Sequence, residues 1–148
     1  MKFKSKIYLT YDDILSMTKN LEYEVSKVKP DLIVGIARGG LVPALHLSHS
    51  LDVPMEFIRW KTRESEEQEL NPHIAGMINQ GRTVVFVDDI NDSGRTFREI
   101  REMYRGGVYV ALLEKTTSTF NSDIKILRMD DERWIVFPWE KTDTLRDI

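Results

Sequence analysis

The sequence predicts an α/β protein with a mainly parallel central sheet flanked by helices. Runs of apolar β-forming residues, such as Asp31–Ile36 and Val84–Val87, have the composition of strands that are buried on both faces. Segments with apolar residues at helical spacing lie between such runs, as in Tyr11–Val28 and Leu41–Leu51. Buried strands that alternate with amphipathic helices are typical of a parallel sheet covered on both sides.

Length, charge and composition narrow the class of protein. The 148 residues predict a single domain, residues 1–148, that can bury a sizeable core. The net charge of -3 gives no basic field that would attract nucleic acid or an anionic membrane. The chain has no cysteine, which excludes a disulfide framework, a cysteine nucleophile and a thiolate metal site. The basic start at Met1–Lys6 lacks the apolar region of a signal peptide, and no stretch approaches a membrane span, so we expect a cytoplasmic protein without membrane insertion.

Local signals mark where the predicted elements begin and end. Thr10 is the expected N-cap of the first helix, because acidic residues follow it in the first turn. Pro43 fits the first turn of the second helix, where its missing N–H is not needed. The helical patterns are Tyr11–Val28, Leu41–Leu51, Pro72–Gln80 and Phe97–Arg105. The predicted strands are Ile7–Leu9, Asp31–Ile36, Val53–Ile58, Val84–Val87, Val108–Leu113 and Ile124–Met129, the last of them an edge strand.

The most informative stretch runs from Thr83 to Phe97. Asp88 and Asp89 follow the apolar run where the strand should end, and a turn at Asp92–Thr96 leads into a helix. Ligands of parallel α/β sheets bind beyond the carboxyl ends of the strands, and free N–H groups at a helix N-terminus suit a phosphate. Adjacent carboxylates suit ribose hydroxyls and a hard cation such as Mg2+. Taken singly, these residues are also ordinary turn and capping residues.

A second strand, glycine-rich loop and helix surround Ala37–Gly40. Glycines allow close backbone approach to an anion, and the Arg38 guanidinium adds a fork of donors. By itself this loop is weak evidence, because Gly-Gly turns between a strand and a helix are common. His46 and His49 lie one turn apart on the following helix, and without a third ligand nearby we interpret them as packing or surface residues.

The whole Thr83–Phe97 stretch closely resembles the phosphoribosyl-pyrophosphate (PRPP) motif of type I phosphoribosyltransferases. Ala37–Gly40 resembles the pyrophosphate-binding loop of that family. By position, Arg59–Asn71 resembles its flexible catalytic loop, with Arg59-Trp60-Lys61 near the place where many purine members carry a Ser-Tyr pair. The resemblance implies the type I phosphoribosyltransferase fold, a mainly parallel central sheet with flanking helices, a small hood and a flexible catalytic loop.

Three further residues resemble the 6-oxopurine branch, especially the small bacterial xanthine-guanine enzymes. In that branch a lysine donates to the purine O6, an aromatic residue stacks on the ring, and the next backbone meets the exocyclic edge. Lys115, Trp134 and Ile135 occupy the matching places. Alone, Lys115 would be interpreted as a surface lysine and Trp134 as a core aromatic residue.

The resemblance implies a role for each candidate residue. The implied reaction is transfer of 5-phosphoribosyl from PRPP to guanine, xanthine or hypoxanthine, with Mg2+ as cofactor. The resemblance also implies a strained or cis Ala37–Arg38 peptide. The implied PRPP ribose and phosphate residues are Asp88, Asp89, Asp92, Ser93, Gly94, Arg95 and Thr96; the metal residues are Asp88 and Asp89; the proton acceptor is Asp92; the pyrophosphate loop is Ala37, Arg38, Gly39 and Gly40; and the purine residues are Lys115, Trp134 and Ile135.

Two other interpretations are weighed against this one. A non-catalytic regulator that senses PRPP or nucleotides on the same fold is the main alternative, but RNA binding would call for a basic face that the chain lacks. Other nucleotide-binding α/β enzymes are disfavoured because the Gly-x-Gly-x-x-Gly and Gly-Lys-Ser/Thr signatures are missing. As in the resembled family, we expect a homodimer or homotetramer. The preferred 6-oxopurine is left open.

Overall fold

The computed structural model describes residues 5–60 and 68–140. Helices and strands alternate along most of this part of the chain, as the sequence predicts. The elements are β1 (Lys6–Tyr8), α1 (Tyr11–Ser26), β2 (Leu32–Ala37), α2 (Leu41–Leu51), β3 (Met55–Arg59), α3 (Pro72–Asn79), β4 (Val84–Asn91), α4 (Arg95–Tyr104), β5 (Val108–Lys115), β6 (Ile124–Met129) and β7 (Trp134–Val136).

Five of the described strands form one parallel sheet in the order β3-β2-β4-β5-β6. The chain places β3 on one side of β2 and then returns to place β4 on the other side. Such a reversal creates a topological switch point, with a crevice outside the carboxyl ends of the two diverging strands. The predicted parallel sheet with flanking helices is therefore confirmed, and β6 lies at an edge as expected.

Helices cover both faces of this sheet. In β4, Val85 and Val87 pack in a core cluster with residues of α1 and α2, whereas Val84 and Phe86 pack in a second cluster with residues of α3 and α4. Successive side chains of a strand point to opposite faces, so one apolar run serves both clusters. All four of these residues are buried, which confirms the predicted two-sided burial.

Thr10 caps α1 as the sequence predicts. Its side-chain Oγ1 accepts a hydrogen bond from the Asp13 N–H at 3.1 Å, and the Asp13 carboxylate accepts one from the Thr10 N–H at 2.8 Å. These reciprocal bonds form a capping box, which satisfies two N–H groups that the helix itself leaves free.

The ends of several strands differ from the prediction. β4 continues through Asp88 and Asp89 to Asn91, and β5 continues through Glu114 to Lys115, so the acidic pair and the lysine lie within strands rather than after them. The two strands pair to their ends, which extends the ladder through polar residues. Other element bounds differ by one or two residues from the prediction. α1 ends at Ser26, β1 begins at Lys6, β3 begins at Met55 and α4 begins at Arg95.

A second, two-stranded sheet forms the small hood. β7 pairs in parallel with β1, with Ile135 opposite Ile7. Through this pairing the N-terminal strand holds the segment that carries Trp134 and Ile135. Within the described residues, no helix is long and apolar enough to cross a membrane.

The predicted catalytic loop, Arg59–Asn71, falls largely on residues 61–67, which lie outside the described residues. Two residues near the ends of the predicted loop, Trp60 and Asn71, form hydrogen bonds to α4. The Trp60 Nε1–H donates to Glu99 Oε1 at 3.3 Å, and the Asn71 N–H donates to the Tyr104 hydroxyl at 3.0 Å. Residues on either side of 61–67 are thus hydrogen-bonded to α4.

Candidate active site

The candidate site lies at the carboxyl edge of the parallel sheet, where β2, β4 and β5 end. Because these strands are parallel neighbours, the Ala37–Gly40 loop, the Asp92–Thr96 turn and Lys115 meet at one edge. Residues 78 positions apart in sequence therefore contribute to one surface.

The turn after β4 forms a small cleft. Its volume is about 80 Å³, and its lining includes Asp88 and the stretch 90–97. α4 begins at this turn, and its N-cap residue Gly94 has no side chain that could close the helix end, although the Ser93 hydroxyl accepts a hydrogen bond from the Arg95 N–H at 3.2 Å. Backbone N–H groups at a helix N-terminus attract anions, so the remaining N–H groups suit the cleft to a phosphate group.

Gly94 is required by the shape of this turn. Its φ is +92°, a conformation that residues with side chains rarely adopt. A Cβ at this position would also lie 2.6 Å from the Phe120 N and 2.8 Å from the Ser118 Oγ. The loop after β5 thus closes over the turn and leaves room only for glycine.

Asp88 and Asp89 lie beside the turn and are coupled to each other. The Asp89 N–H donates to Asp88 Oδ1 at 2.9 Å, and the Ile90 N–H donates to Asp89 Oδ1 at 2.8 Å. Burial raises the pKa of Asp88 well above its ordinary value, and the charge of Asp89 raises it further. Burial also raises the pKa of Asp89, although hydrogen bonds with Asp88 and the Ile90 N–H oppose the rise, and the Glu140 charge adds to it. Two crowded carboxylates of this kind are stabilised by a cation.

The Ala37–Gly40 loop touches the acidic pair. The Ala37–Arg38 peptide bond is cis, in agreement with the prediction. Gly39 packs directly on the Asp89 carboxylate, and a Cβ there would lie 2.5 Å from Asp89 Cγ and 2.9 Å from Oδ1. Arg38 is exposed at the tip of the loop. Backbone amides, a guanidinium and a carboxylate pair are therefore neighbours, as a bound anion with its cation requires.

A larger cleft, about 400 Å³ in volume, adjoins the cleft at the turn after β4. Lys115 forms part of its wall and is only 8% exposed, whereas the Trp134 side chain is 61% exposed and Ile135 is buried. The exposure of Trp134 rules out the interpretation as a core aromatic residue. The remaining lining residues are Ile90, Asp92, Thr116, Thr117, Met129, Asp130, Asp131, Glu132 and Arg133.

Backbone carbonyls hold the Lys115 ammonium in this cleft. The Nζ donates to the carbonyl oxygen of Asp131 and, at 2.9 Å, to that of Arg133. An ammonium group has three N–H donors, so one is left after these two bonds. Lys115 is thus positioned to donate to a ligand in the cleft.

Asp92 and Ile90 line both clefts and so mark their junction. Asp92 is exposed and contributes to the lining of each cleft. Sequence reasoning identified Asp92 but missed Ile90, Thr116 and Thr117, because an apolar residue after an acidic pair and two threonines in a loop carry no distinctive signal.

No cluster of three or more histidine, cysteine or acidic side chains that could hold a metal occurs in residues 5–60 and 68–140. A magnesium ion is usually held by one or two carboxylates together with water and substrate phosphates. The Asp88–Asp89 pair fits that smaller requirement. His46 and His49 lie on α2, where His46 is partly buried and His49 is exposed.

The described residues form an α/β fold with two adjoining clefts at one edge of its sheet. Asp92 lines both clefts, and Trp134 forms part of the wall of the larger one. The chain belongs to the phosphoribosyl transferase domain family, whose model matches residues 8–143. A purine phosphoribosyltransferase structure from Pyrococcus horikoshii is 31% identical with a TM-score of 0.79, and the match covers 93% of this chain and 95% of that one.

Other relatives agree in fold and in sequence. A xanthine-guanine phosphoribosyltransferase of Cereibacter sphaeroides is 29% identical over 143 residues, which cover 90% of this chain and 86% of that protein. A xanthine-guanine-hypoxanthine phosphoribosyltransferase of Helicobacter pylori has a TM-score of 0.75 at 20% identity, with 97% of this chain and 99% of that chain covered. The latter likeness shows the fold alone.

Proposed function

We propose that this protein is a purine phosphoribosyltransferase that transfers 5-phosphoribosyl from PRPP to a 6-oxopurine. The products would be the nucleoside 5'-monophosphate and pyrophosphate. The observation that carries the proposal is the pair of adjoining clefts, one built for a phosphate and one walled by Lys115 and Trp134, with Asp92 at their junction. The named purine enzymes among the relatives support it, and they give no support to the alternative of a non-catalytic regulator.

The 5'-phosphate of PRPP binds at the turn after β4. The backbone N–H groups of Asp92–Thr96 at the N-terminus of α4 hold the phosphate oxygens, and the Arg95 N–H exchanges its bond to Ser93 Oγ for one to the phosphate. The hydroxyls of Ser93 and Thr96 and the Arg95 guanidinium add donors at the rim. Phosphate binding here places C1 of the ribose towards the larger cleft.

Asp88 and Asp89 would bind the ribose hydroxyls and Mg2+. Their crowding and raised pKa values fit a cation, because the metal would relieve the repulsion between the two carboxylates. A bound Mg2+ would be held by Asp88 and Asp89 and would supply positive charge beside the leaving pyrophosphate. The adjacent loop adds the Arg38 guanidinium and the backbone N–H groups of Ala37–Gly40, which bind the pyrophosphate oxygens.

The purine base occupies the larger cleft. The free N–H of the Lys115 ammonium donates to O6, the exposed Trp134 ring covers one face of the base, and the Ile135 backbone meets the edge near C2. All three 6-oxopurines share the acceptor that Lys115 reads. They differ at C2, where backbone atoms rather than a charged side chain make the contact.

The transfer exchanges one bond at C1 for another. The bond from C1 to the pyrophosphate oxygen breaks with its electron pair on pyrophosphate, and a purine ring nitrogen forms the new bond to C1. The transition state resembles an oxocarbenium ion, so catalysis rests on positioning the partners and stabilising the leaving group. Asp92 accepts the proton that the purine must lose at N7.

We also propose a cytoplasmic homodimer or homotetramer. Leu45 on α2 and Phe57 on the edge strand β3 are exposed apolar residues, which supports an association surface. Sedimentation equilibrium of the purified chain measures the number of subunits. A monomer at micromolar concentration would contradict this part of the proposal.

A base panel with a Lys115 variant tests the base assignment. Adenine carries an amino donor at C6 and would face the Lys115 ammonium donor to donor, so the wild type should use hypoxanthine and reject adenine. Lys115→Ala should lower the ratio of kcat/KM for hypoxanthine to that for adenine by at least about tenfold, with a smaller effect on PRPP affinity.

Lys27→Ala is the matched control, because Lys27 is the C-cap residue that follows α1 and its side chain is 52% exposed. It should leave the ratio unchanged. Efficient turnover of adenine or uracil by the wild type would place the chain in another branch of the family.

A further inference from the structure

A buried polar pair connects the ends of β4 and β5 directly behind the candidate site. Asn91 and Glu114 are opposite each other in the ladder between these strands. They are only 4% and 1% exposed, which is unusual for side chains of this polarity. The residue after Asn91 is Asp92, and the residue after Glu114 is Lys115, so the pair lies one residue behind both reactive side chains.

Every polar atom of the Asn91 side chain has a partner. The Nδ2 amide has two N–H groups, which donate to Glu114 Oε1 at 2.7 Å and to the Phe120 carbonyl at 2.7 Å, and Ser122 Oγ lies 3.1 Å from the same nitrogen. The Oδ1 atom accepts from the Ser118 hydroxyl at 3.1 Å. Asn91 therefore connects β4 both to β5 and to the loop that follows β5.

Glu114 is held as a charged carboxylate within this network. Its Oε1 also accepts from the Ser122 N–H at 2.7 Å, and its Oε2 lies 3.1 Å from the Lys125 ammonium. Burial acts to raise the pKa of Glu114, but the hydrogen bonds from Ser122 and Asn91 and the neighbouring Lys125 ammonium outweigh it and lower the pKa. Oε1 is thus fixed by two hydrogen bonds, whereas the buried Oε2 has the Lys125 ion pair in place of a hydrogen bond.

The same loop closes over the phosphate turn. The Thr119 N–H and hydroxyl both donate to the Ser93 carbonyl, at 2.9 and 3.0 Å. Ser118, which donates to Asn91, also lies against Gly94. One network thus joins the backbone of the phosphate turn to the strand that carries Lys115.

A well-packed apolar pair would fill this space with equal or greater stability, because burying a charge is unfavourable even when it is paired. Apolar contacts are not directional, so an apolar pair would not fix how the ends of β4 and β5 are oriented to each other. Hydrogen bonds between the two strands fix both the register and the rotation of the backbone. The polar pair is therefore better explained by positioning of the strand ends than by stability alone.

We propose that Asn91 and Glu114 are positioning residues, which fix the distance between the proton-accepting Asp92 and the base-reading Lys115. The inference rests on the proposed function of those two residues. The atoms of the pair are engaged with protein groups, so the pair acts through its neighbours. Misplacement of reacting groups by about 1 Å can lower a rate about 100-fold.

The first test is Asn91→Asp. This change keeps the shape of the side chain but places a carboxylate where an amide donated to Glu114 at 2.7 Å. We expect kcat with PRPP and hypoxanthine to fall about 10- to 100-fold, while each KM stays within about threefold, because each substrate still meets its own contacts. Unchanged kcat would overturn the inference.

The second test exchanges the two groups. In Asn91→Asp with Glu114→Gln, the carboxylate and the amide trade places, and the bond between them can form again. We expect kcat to return to within about threefold of the wild-type value. A folded exchange variant that is as slow as Asn91→Asp would overturn the inference.

A stability control separates positioning from folding. Thr18 is fully buried on α1, and its hydroxyl donates to the Ile14 carbonyl at 2.7 Å, remote from the sheet edge. Thr18→Val should lower the melting temperature and leave kcat unchanged. If it lowered kcat as much as Asn91→Asp does, positioning would be overturned in favour of a general loss of structure.

If Asn91→Asp does not fold, Ser118→Ala decides the matter, since it removes the hydroxyl that lies 3.1 Å from Asn91 Oδ1, 2.8 Å from the Phe120 carbonyl oxygen and 3.2 Å from the Phe120 N, and so detaches the loop from Asn91 Oδ1. A threefold to tenfold loss in kcat, in order of magnitude, with unchanged KM supports the inference, and wild-type kcat overturns it. The proposed function fails separately, because a wild type without turnover of any purine base would refute it before any variant is compared.

Discussion

At the scale of single residues, the account depends on the carboxylate that lines both clefts. Asp92 is exposed and lines both clefts, and we propose that it reaches a base nitrogen in the larger cleft while its backbone N–H contributes to a phosphate site in the smaller one. Asp92→Asn should lower kcat about 100-fold or more and keep PRPP affinity, because the amide cannot accept the proton. Presteady-state turnover together with calorimetric PRPP binding measures both quantities. Wild-type kcat in the variant would refute the assignment.

The acidic pair illustrates a conflict between function and stability. The folded state raises the pKa values of Asp88 and Asp89, so their ionised forms destabilise the fold at neutral pH, and protonation on acidification relieves this. Asp88→Asn should raise the melting temperature by a few degrees without ligand and abolish Mg2+-dependent PRPP binding.

Asp12→Asn is the matched control for that experiment. Asp12 lies in the first turn of α1, where a negative charge interacts favourably with the helix dipole, so its loss should lower stability slightly. Thermal melting with and without PRPP and Mg2+ compares the two variants. A lower melting temperature of ligand-free Asp88→Asn would contradict the account.

At the scale of elements, the phosphate turn depends on the absence of a side chain at Gly94. Gly94→Ala combines an unfavourable φ of +92° with contacts of 2.6 and 2.8 Å to Phe120 and Ser118. The turn must shift, and we expect the KM for PRPP to rise at least about tenfold with a stability loss of about 1–3 kcal/mol. Steady-state kinetics and urea unfolding measure these changes.

Gly76→Ala provides the control, because a Cβ on this α3 residue would meet nothing within 4 Å. Alanine in a helix should raise stability by about 0.5–1 kcal/mol and leave the KM for PRPP unchanged. A Gly94→Ala protein with wild-type KM would show that the turn is not the phosphate site.

The elements could largely be predicted from the sequence because their apolar patterns are strong. α2 and β6 have the predicted bounds, since Leu41–Leu51 and Ile124–Met129 are bounded by clear turn signals. The ends of β4 and β5 could not be predicted in this way. Polar residues such as Asp88 and Glu114 normally indicate a strand end, and only the pairing of the two strands extends the ladder through them.

The parts of the candidate site that consist of short contiguous motifs could be proposed from the sequence. The Asp92–Thr96 turn and the Ala37–Gly40 loop were readable because their residues are adjacent in sequence. The hydrogen bond between Asn91 and Glu114 joins residues 23 positions apart, and Ser122, another neighbour of Asn91, is 31 positions away from it. No local sequence pattern therefore predicts this network. Long-range polar networks of this kind require the fold.

At the scale of the whole molecule, the buried network predicts how stability responds to acid. The pKa of Glu114 is lower in the folded state than its ordinary value of 4.5, so the unfolded chain takes up the proton more readily. The contribution of Glu114 is complete above about pH 4.5 and is lost as the pH falls through the folded-state pKa.

Glu114→Gln has no such group. Urea unfolding between about pH 6 and about pH 3 should therefore show a steeper loss of stability in the wild type than in this variant. Equal slopes would mean that Glu114 is not held as a buried carboxylate.

The most direct test of the central claim is turnover by the wild-type protein. It is incubated with PRPP, Mg2+ and guanine, xanthine, hypoxanthine or adenine in turn, and nucleoside 5'-monophosphate and pyrophosphate are both quantified. The account predicts that the two products appear in equal amounts with at least one 6-oxopurine, and that neither appears with adenine or without a base. Absence of nucleotide with all three 6-oxopurines, despite measurable PRPP binding, would contradict it.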